Sequence, residues 1–275
     1  MVNKKIIKFI TTNFLALILI FLFAFPIYWM IIDSFMPNDL IIKWPPIFIP
    51  NKLTLNNYLQ IINGTPIIRW FLNSIFVSVA VATLSVLIDI FAAYALARMN
   101  FKGRDMIFKI ILGALSIPGI ILFLPNYVTV NFFGWTNTYL AIILPALAGT
   151  FGVFLLRQFF IGIPRELEEA AKIDGAGFFS IVFKIIVPEA WPAIITLFVM
   201  NFMGTWNDYF WPLIVLNSKS MYTLPVGMSA IQSQYIQWYG TMMAGAFMIA
   251  LPSIVVFIIV QRYYIKGIVF TGVKG

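Results

Sequence analysis

The sequence contains no cysteine and no histidine. Disulfide frameworks, thiol nucleophiles, Ser/His/Asp triads and the commoner zinc sites are therefore excluded. Charge is also scarce: Asp, Glu, Lys and Arg make up 10% of the 275 residues, against about 25% in ordinary soluble domains. No G-x-x-x-x-G-K-[ST] phosphate loop occurs, and Gly175 and Gly177 lack the lysine and hydroxyl that would hold phosphates and magnesium. The chain is expected not to be an enzyme, to carry no metal or cofactor, and not to hydrolyse ATP itself. What is abundant is apolar: 61% of residues are hydrophobic and the mean hydropathy is +0.95. That composition indicates an all-α integral membrane protein.

The apolar runs predict six spans. Phe9 to Ile32 has 24 residues without a charge, enough at 1.5 Å per residue to cross a core of about 30 Å. A cleaved leader would begin with similar basic residues, but the run is too long and no A-x-A-like site follows. Asp33 to Arg69 is polar and proline-rich, and reads as an external loop with one short helix at Leu55 to Ile62. Further spans are expected at Trp70–Ala97, Ile110–Val130, Thr138–Leu156, Ala190–Leu216 and Tyr239–Gln261. The resulting organisation is a first helix with its external loop (1–69), a transmembrane domain (70–262) and a C-terminal tail (263–275). Placing both termini and the loops at Arg98–Lys109 and Arg157–Ala190 in the cytoplasm puts 14 of the 18 Lys and Arg inside, as the positive-inside rule requires. The net charge of +8 then needs no nucleic acid, because its basic residues are spread along the cytoplasmic loops instead of gathering on one soluble face. No convincing internal repeat is present, which weighs against inverted-repeat carriers.

Against this background one stretch is dense in charge. Six of the ten residues from Arg165 to Asp174 are ionic (Arg165, Glu166, Glu168, Glu169, Lys172, Asp174), so this segment must face water or a protein partner. Pro164 and the three carboxylates that follow mark a helix start. Gly175 and Gly177 then break the run. From Phe178 to Val187 the pattern becomes amphipathic, with Phe178, Ile181, Val182, Ile185 and Ile186 on one stripe until Pro188 stops it. Two short helices joined at a glycine bend are expected, the second lying against a membrane face.

The spacing Glu169-Ala170-Ala171, three residues, Gly175, nine residues, Ile185, one residue, Val187-Pro188 resembles the EAA loop in the membrane subunits of binding-protein-dependent ABC importers. Val187 stands where leucine is commoner. The resemblance continues through Ala92–Arg104 (AAYALARMNFKGR), Thr205–Leu213 (TWNDYFWPL), Tyr222–Met228 (YTLPVGM) and the C-terminal QRYYIKGIVFTGVKG. These segments are similar to the carbohydrate-type members, in particular the second membrane subunit of the maltose transporter. The resemblance implies a type I ABC importer permease fold with six transmembrane helices and cytoplasmic termini. It also implies partners: a second, homologous permease subunit, two ATPase subunits that bind the ATP and magnesium, an extracytoplasmic sugar-binding protein, and the lipid bilayer.

By resemblance, Glu168, Glu169, Ala170, Ala171, Asp174, Gly175, Ile185 and Pro188 form the loop that docks in a cleft of the ATPase subunit. Small residues let a partner approach the backbone, and the carboxylates offer ion pairs around that contact. The plainer reading is a solvated loop with surface charges. Trp206, Asn207, Asp208 and Trp211 could contact sugar, since aromatic faces stack on a pyranose and Asn and Asp take its hydroxyls. An interfacial aromatic belt is the preferred alternative. Asn217–Trp238 would include a loop reaching into the binding protein, or simply connect two spans. Lys274 and Gly275 would enter the interface between the ATPase subunits. Asp89 is the one acid deep in a span, either a structural acid with Ser85 and Arg98 as possible partners or, in a rival reading, the coupling site of an ion-driven carrier. A non-transporting scaffold and an importer of a non-sugar solute are the remaining alternatives.

Overall fold

The structure is a computed structural model that describes residues 2–147, 149–231 and 238–271. Among these residues the ordered elements are all helical. Three helices are long and apolar enough to cross a membrane: α1 (Val2–Ser34), α4 (Ile67–Arg98) and α15 (Tyr239–Thr271). Their limits extend the first and second expected spans at both ends and the sixth at its C-terminal end.

The other expected spans are broken. The third divides into α5 (Arg104–Ala114) and a 3₁₀ turn at Gly119–Leu122 leading into α6 (Phe123–Phe132), with a bend of 97° between the halves. Pro118 precedes the second half, while Pro125 sits in the first turn of α6, where a missing N–H costs nothing. The fourth divides into α7 (Leu140–Ala146) and α8 (Thr150–Gly162), bent by 43°. The fifth divides into α12 (Trp191–Trp206) and α13 (Phe210–Val215), separated at Asn207–Tyr209. Three spans are therefore clear among the described residues, and up to six exist if three bent pairs each count as one: α5 with Gly119–Phe132, α7 with α8, and the helical stretch Phe178–Glu189 with α12.

The chain forms two compact units. The first, Met1–Ile67 with Met228–Pro252, contains α1, the short α2 (Asn38–Ile41) and α3 (Asn56–Gly64). Its polar loop is ordered by specific bonds. Asn57 Nδ2 donates to the carbonyls of Ser34 and Met36, both at 2.9 Å, and Ser34 Oγ meets Tyr58 Oη at 2.7 Å. Gly240 must be bare here, because a Cβ on it would stand 2.5 Å from Asn57 Nδ2.

The second unit, Ile68–Gly227 with Ser253–Gly275, is organised along α4. One core gathers Val77 and Val81 of α4 with Val130, Ile142, Trp211 and Val215. The other gathers Val86, Ile90, Ala93, Tyr94 and Ala97 with Leu156 and Phe160 of α8, Ile194 and Leu197 of α12, and the residues after Gly177. One helix thus carries apolar stripes for two cores, and the second of them holds the charged loop.

Candidate functional site: the charged loop and its anchor

The loop begins with α9 (Glu166–Ile173), which has Glu166, Glu168 and Glu169 in its first turn and Lys172 in its last. That order matches the helix dipole at both ends. The helix ends in a Schellman motif. Gly175 N–H donates to the Lys172 carbonyl at 3.1 Å and Ala176 N–H to the Ala171 carbonyl at 2.8 Å. Gly175 has φ +81°, the left-handed region that an L side chain occupies only at a cost of roughly 1–2 kcal/mol. A Cβ at Gly175 would meet nothing within 4 Å, so backbone conformation alone explains the glycine.

After Gly177 the chain runs as a helical arm from Phe178 to Glu189, with a π-type turn at Val182–Ile186, and meets α12 at 84°. Ile181, Val182 and Ile186 are buried, and Ile185, Val187, Ala171 and Ala176 pack against the same cluster. The expected stripe exists, but it packs on α4, α8 and α12 instead of resting on a membrane face. Phe178 is 42% exposed and sits edge-on to Tyr94 at 5.4 Å.

The two faces of the loop differ sharply. Glu169, Ala170, Lys172, Asp174 and Gly175 are exposed, as is Pro188. Ile173 is 86% exposed at the tip, an apolar side chain that the motif does not mark. Glu168, expected on the same outward surface, turns inward with 5% exposure. Its Oε1 lies 3.1 Å from Arg98 Nε, and its Oε2 accepts from Tyr94 Oη at 3.0 Å. The Arg98–Glu168 pair is an ion contact and not an in-line hydrogen bond, since neither facing atom has hydrogen-bond geometry. Arg98 Nη2 donates to the Ile163 carbonyl at 2.5 Å and also to the Phe160 carbonyl. A hollow of about 440 Å³ adjoins the loop, lined by Gln158, Phe159, Gly162, Ile163, Pro164, Glu189 and Ala190.

The Trp206–Trp211 segment is less uniform than its sequence. Trp206 is fully buried, stacked on Phe202 at 6.0 Å and edge-on to Phe71 at 5.6 Å. Asn207 is exposed, with Nδ2 donating to the Met203 carbonyl at 2.9 Å. Asp208 Oδ1 accepts from Trp211 N–H at 3.3 Å, which caps α13, and Trp211 Nε1 donates to the Ala141 carbonyl at 2.8 Å. Asp208 and Trp211 line a cavity of about 250 Å³ together with Phe123, Asn126, Pro145 and Thr205. Trp206 and Asn207 are not among its lining residues. Asn126 carries no signal in the sequence because it is a lone polar residue inside an apolar run, whereas Thr205 opens the Thr205–Leu213 segment next to Trp206.

Asp89 is 2% exposed, and its Oδ1 has no hydrogen-bond partner among the described residues. Both of its expected partners are engaged elsewhere: Ser85 Oγ donates to the Ala146 carbonyl at 3.4 Å, and Arg98 holds Glu168. Gly152 of α8 makes room for it, since a Cβ there would stand 1.9 Å from Asp89 Oδ2. Lys274 and Gly275 lie outside the described residues, as do residues 232–237 of the Asn217–Trp238 loop.

Long apolar helices, bent helix pairs and a single charged loop anchored to the long, half-buried helix α4 define a multi-pass, all-helical protein of transporter-permease type. The chain belongs to the family of binding-protein-dependent transport system inner membrane components, which it matches over residues 6–266. Members of this family are transport subunits and not enzymes. The chain is 38% identical over 258 residues to the arabinooligosaccharides transport system permease protein AraQ of Halalkalibacterium halodurans, covering 93% of this chain and 92% of that one. It is 31% identical over 284 residues to the sn-glycerol-3-phosphate transport system permease protein UgpE of Brucella melitensis, covering 98% and 99%. Its fold is similar to a chain of a bacterial ABC transporter involved in the import of the acidic polysaccharide alginate, with TM-score 0.82, 22% identity, and coverage of 95% of this chain and 98% of that one.

Proposed function

We propose that this chain is one of two homologous but different membrane subunits of an ATP-driven, binding-protein-dependent importer whose cargo is an oligosaccharide or related carbohydrate. The observation that carries the reading is the two-faced loop. Its inner side is fastened by apolar packing and by Glu168, while Glu169, Ala170, Ile173, Asp174 and Gly175 form a rigid outward knob. That shape suits docking in a cleft of an ATPase subunit. Each of two ATPase subunits would bind ATP and magnesium and move one such knob. Closure of the ATPase pair would draw the knobs together and rock the helices between inward-open and outward-open states.

In this reading both termini and the loop face the cytoplasm, the chain makes six crossings counting each broken pair as one, and the tail at Lys274 and Gly275 reaches the ATPase interface. An extracytoplasmic binding protein delivers the cargo from the opposite side. The cavity at Asn126, Thr205, Asp208 and Trp211 is the part of the translocation path to which this chain contributes polar groups. The carbohydrate cargo rests on the similarity to AraQ over nearly the whole chain.

A second cargo reading, a small phosphate ester, is favoured by the similarity to UgpE. Purifying the assembled transporter with its binding protein and identifying the bound ligand by mass spectrometry separates the two. A carbohydrate is expected; a glycerol phosphate would replace the sugar reading while leaving the coupling mechanism in place. The family's dependence on a binding protein argues against an ion-driven carrier using Asp89.

A further inference from the structure

The buried ion pair behind the loop asks for an explanation of its own. Arg98 and Glu168 side chains are 4% and 7% exposed and adjoin a core of Ile90, Tyr94, Phe160, Ile181 and Val182. Apolar residues of similar volume commonly serve stability as well as or better than a desolvated pair. What an apolar filling cannot do is fix geometry, and geometry is what this cluster defines. Arg98 ends α4, Phe160 and Ile163 lie at the C-terminal end of α8, and Glu168 opens α9. One guanidinium therefore ties three elements, and Tyr94, one turn back on α4, holds the second carboxylate oxygen. The next residue after Glu168 is Glu169 on the exposed face. Behind the cluster, α4 runs 32 residues, about 48 Å at 1.5 Å per residue.

We propose that Arg98, Glu168 and Tyr94 form a buried latch that makes the knob and α4 move as one body. They are positioning residues, touching neither ATP nor cargo. The inference rests on the reading of the knob as the ATPase-docking surface. A displacement at Glu169 or Asp174 reaches α4 through this latch without being absorbed as rotation of α9 about the Gly175 turn. With the latch cut, apolar packing still holds the loop in place but permits α9 to tilt.

The absence of cysteine allows a direct test on the assembled complex of this chain with its second permease subunit, ATPase subunits and binding protein. Spin labels are placed at Leu167→Cys on α9 and Ile68→Cys at the far end of α4, both exposed. With Arg98 present, the label-to-label distance distribution stays narrow and does not change when ATP is added. In Arg98→Gln or Glu168→Gln it broadens or shifts by about 5 Å, one helical pitch, when ATP is added, and Arg98→Lys recovers part of the narrow distribution. Identical distributions in the wild type and both Gln variants overturn the latch. Should neither Gln variant assemble, Tyr94→Phe keeps the packing and removes one donor; broadening there supports the latch, and none overturns it. Glu169→Lys provides the separate check on docking. Retention of the ATPase subunits by that variant sinks the docking reading whatever the labels report, whereas their release together with unchanged Arg98→Gln distances sinks the latch alone.

Discussion

Two segments of this chain draw attention by composition, Arg165–Pro188 for its charge and Thr205–Leu213 for its aromatic and amide residues, and the fold uses them in opposite ways. The charged loop keeps most of its marked residues on the surface and buries one acid as an anchor. The aromatic segment sends Trp206 into the core, spends Asp208 on a helix cap and leaves Thr205, Asp208 and Trp211 beside a cavity. The difference lies in what each pattern constrains. A glycine at fixed spacing from a helix dictates backbone conformation, so the shape of the loop follows from the sequence. Tryptophan has more than one use for its area, and only three-dimensional neighbours decide between packing, an interfacial belt and a ligand.

The largest expected effect breaks the aromatic side of this comparison. Trp206→Ala removes a fully buried indole stacked on Phe202 and edge-on to Phe71, and should cost about 3–5 kcal/mol. Thermal unfolding of the detergent-solubilised complex, with Trp206→Phe as the milder control, measures this. A fully stable Trp206→Ala complex with impaired cargo handling would return Trp206 to the transport path. Next comes the charged loop. Gly175→Asp forces a side chain into a left-handed position and adds charge to the exposed face, so uptake of the identified cargo should fall by about tenfold or more, within the usual range of coupling energies. Insertion and folding should remain intact, since nothing lies within 4 Å of the new Cβ. Unchanged uptake would remove Gly175 from the coupling surface.

The limits of reading the sequence follow the same division. The long helices were legible because uninterrupted apolar length admits one interpretation, and the Schellman turn because glycine after a polar helix has few others. The broken helices were less so: Pro118 and Pro145 announce an interruption but not whether the chain bends by 97° or 43°. The fate of the stripe Ile181, Val182, Ile185 and Ile186 was legible as amphipathic but not as protein-facing, because lipid and a neighbouring helix are equally apolar. The anchor at Arg98 was hidden most completely. Two broken helix pairs separate it from Glu168 in sequence, and Arg98 looks like one more positive charge at a helix end. Asp89 failed in the same way, since its setting depends on the bare backbone of Gly152 and not on its helical neighbours.

The smaller effects sharpen the boundary between cap and cargo site. Asp208→Asn should change stability by no more than about 0.5 kcal/mol, because asparagine caps helices nearly as well as aspartate. If Asp208 does no more than cap α13, the cargo concentration for half-maximal uptake stays put; a clear rise in that concentration with unchanged stability assigns the carboxylate to the path. Asn207 is the strictest control, since it stands between these residues in sequence but outside the cavity. Its exposed amide bonds back to Met203 of its own helix, so Asn207→Ala should shift stability by less than about 0.5 kcal/mol, as for other surface positions. Cargo uptake should be unaltered as well. A loss of uptake in this variant would mean that the exposed amide meets a surface contributed by another subunit, and the segment would then have to be divided by what it faces in the assembly and not by burial within this chain.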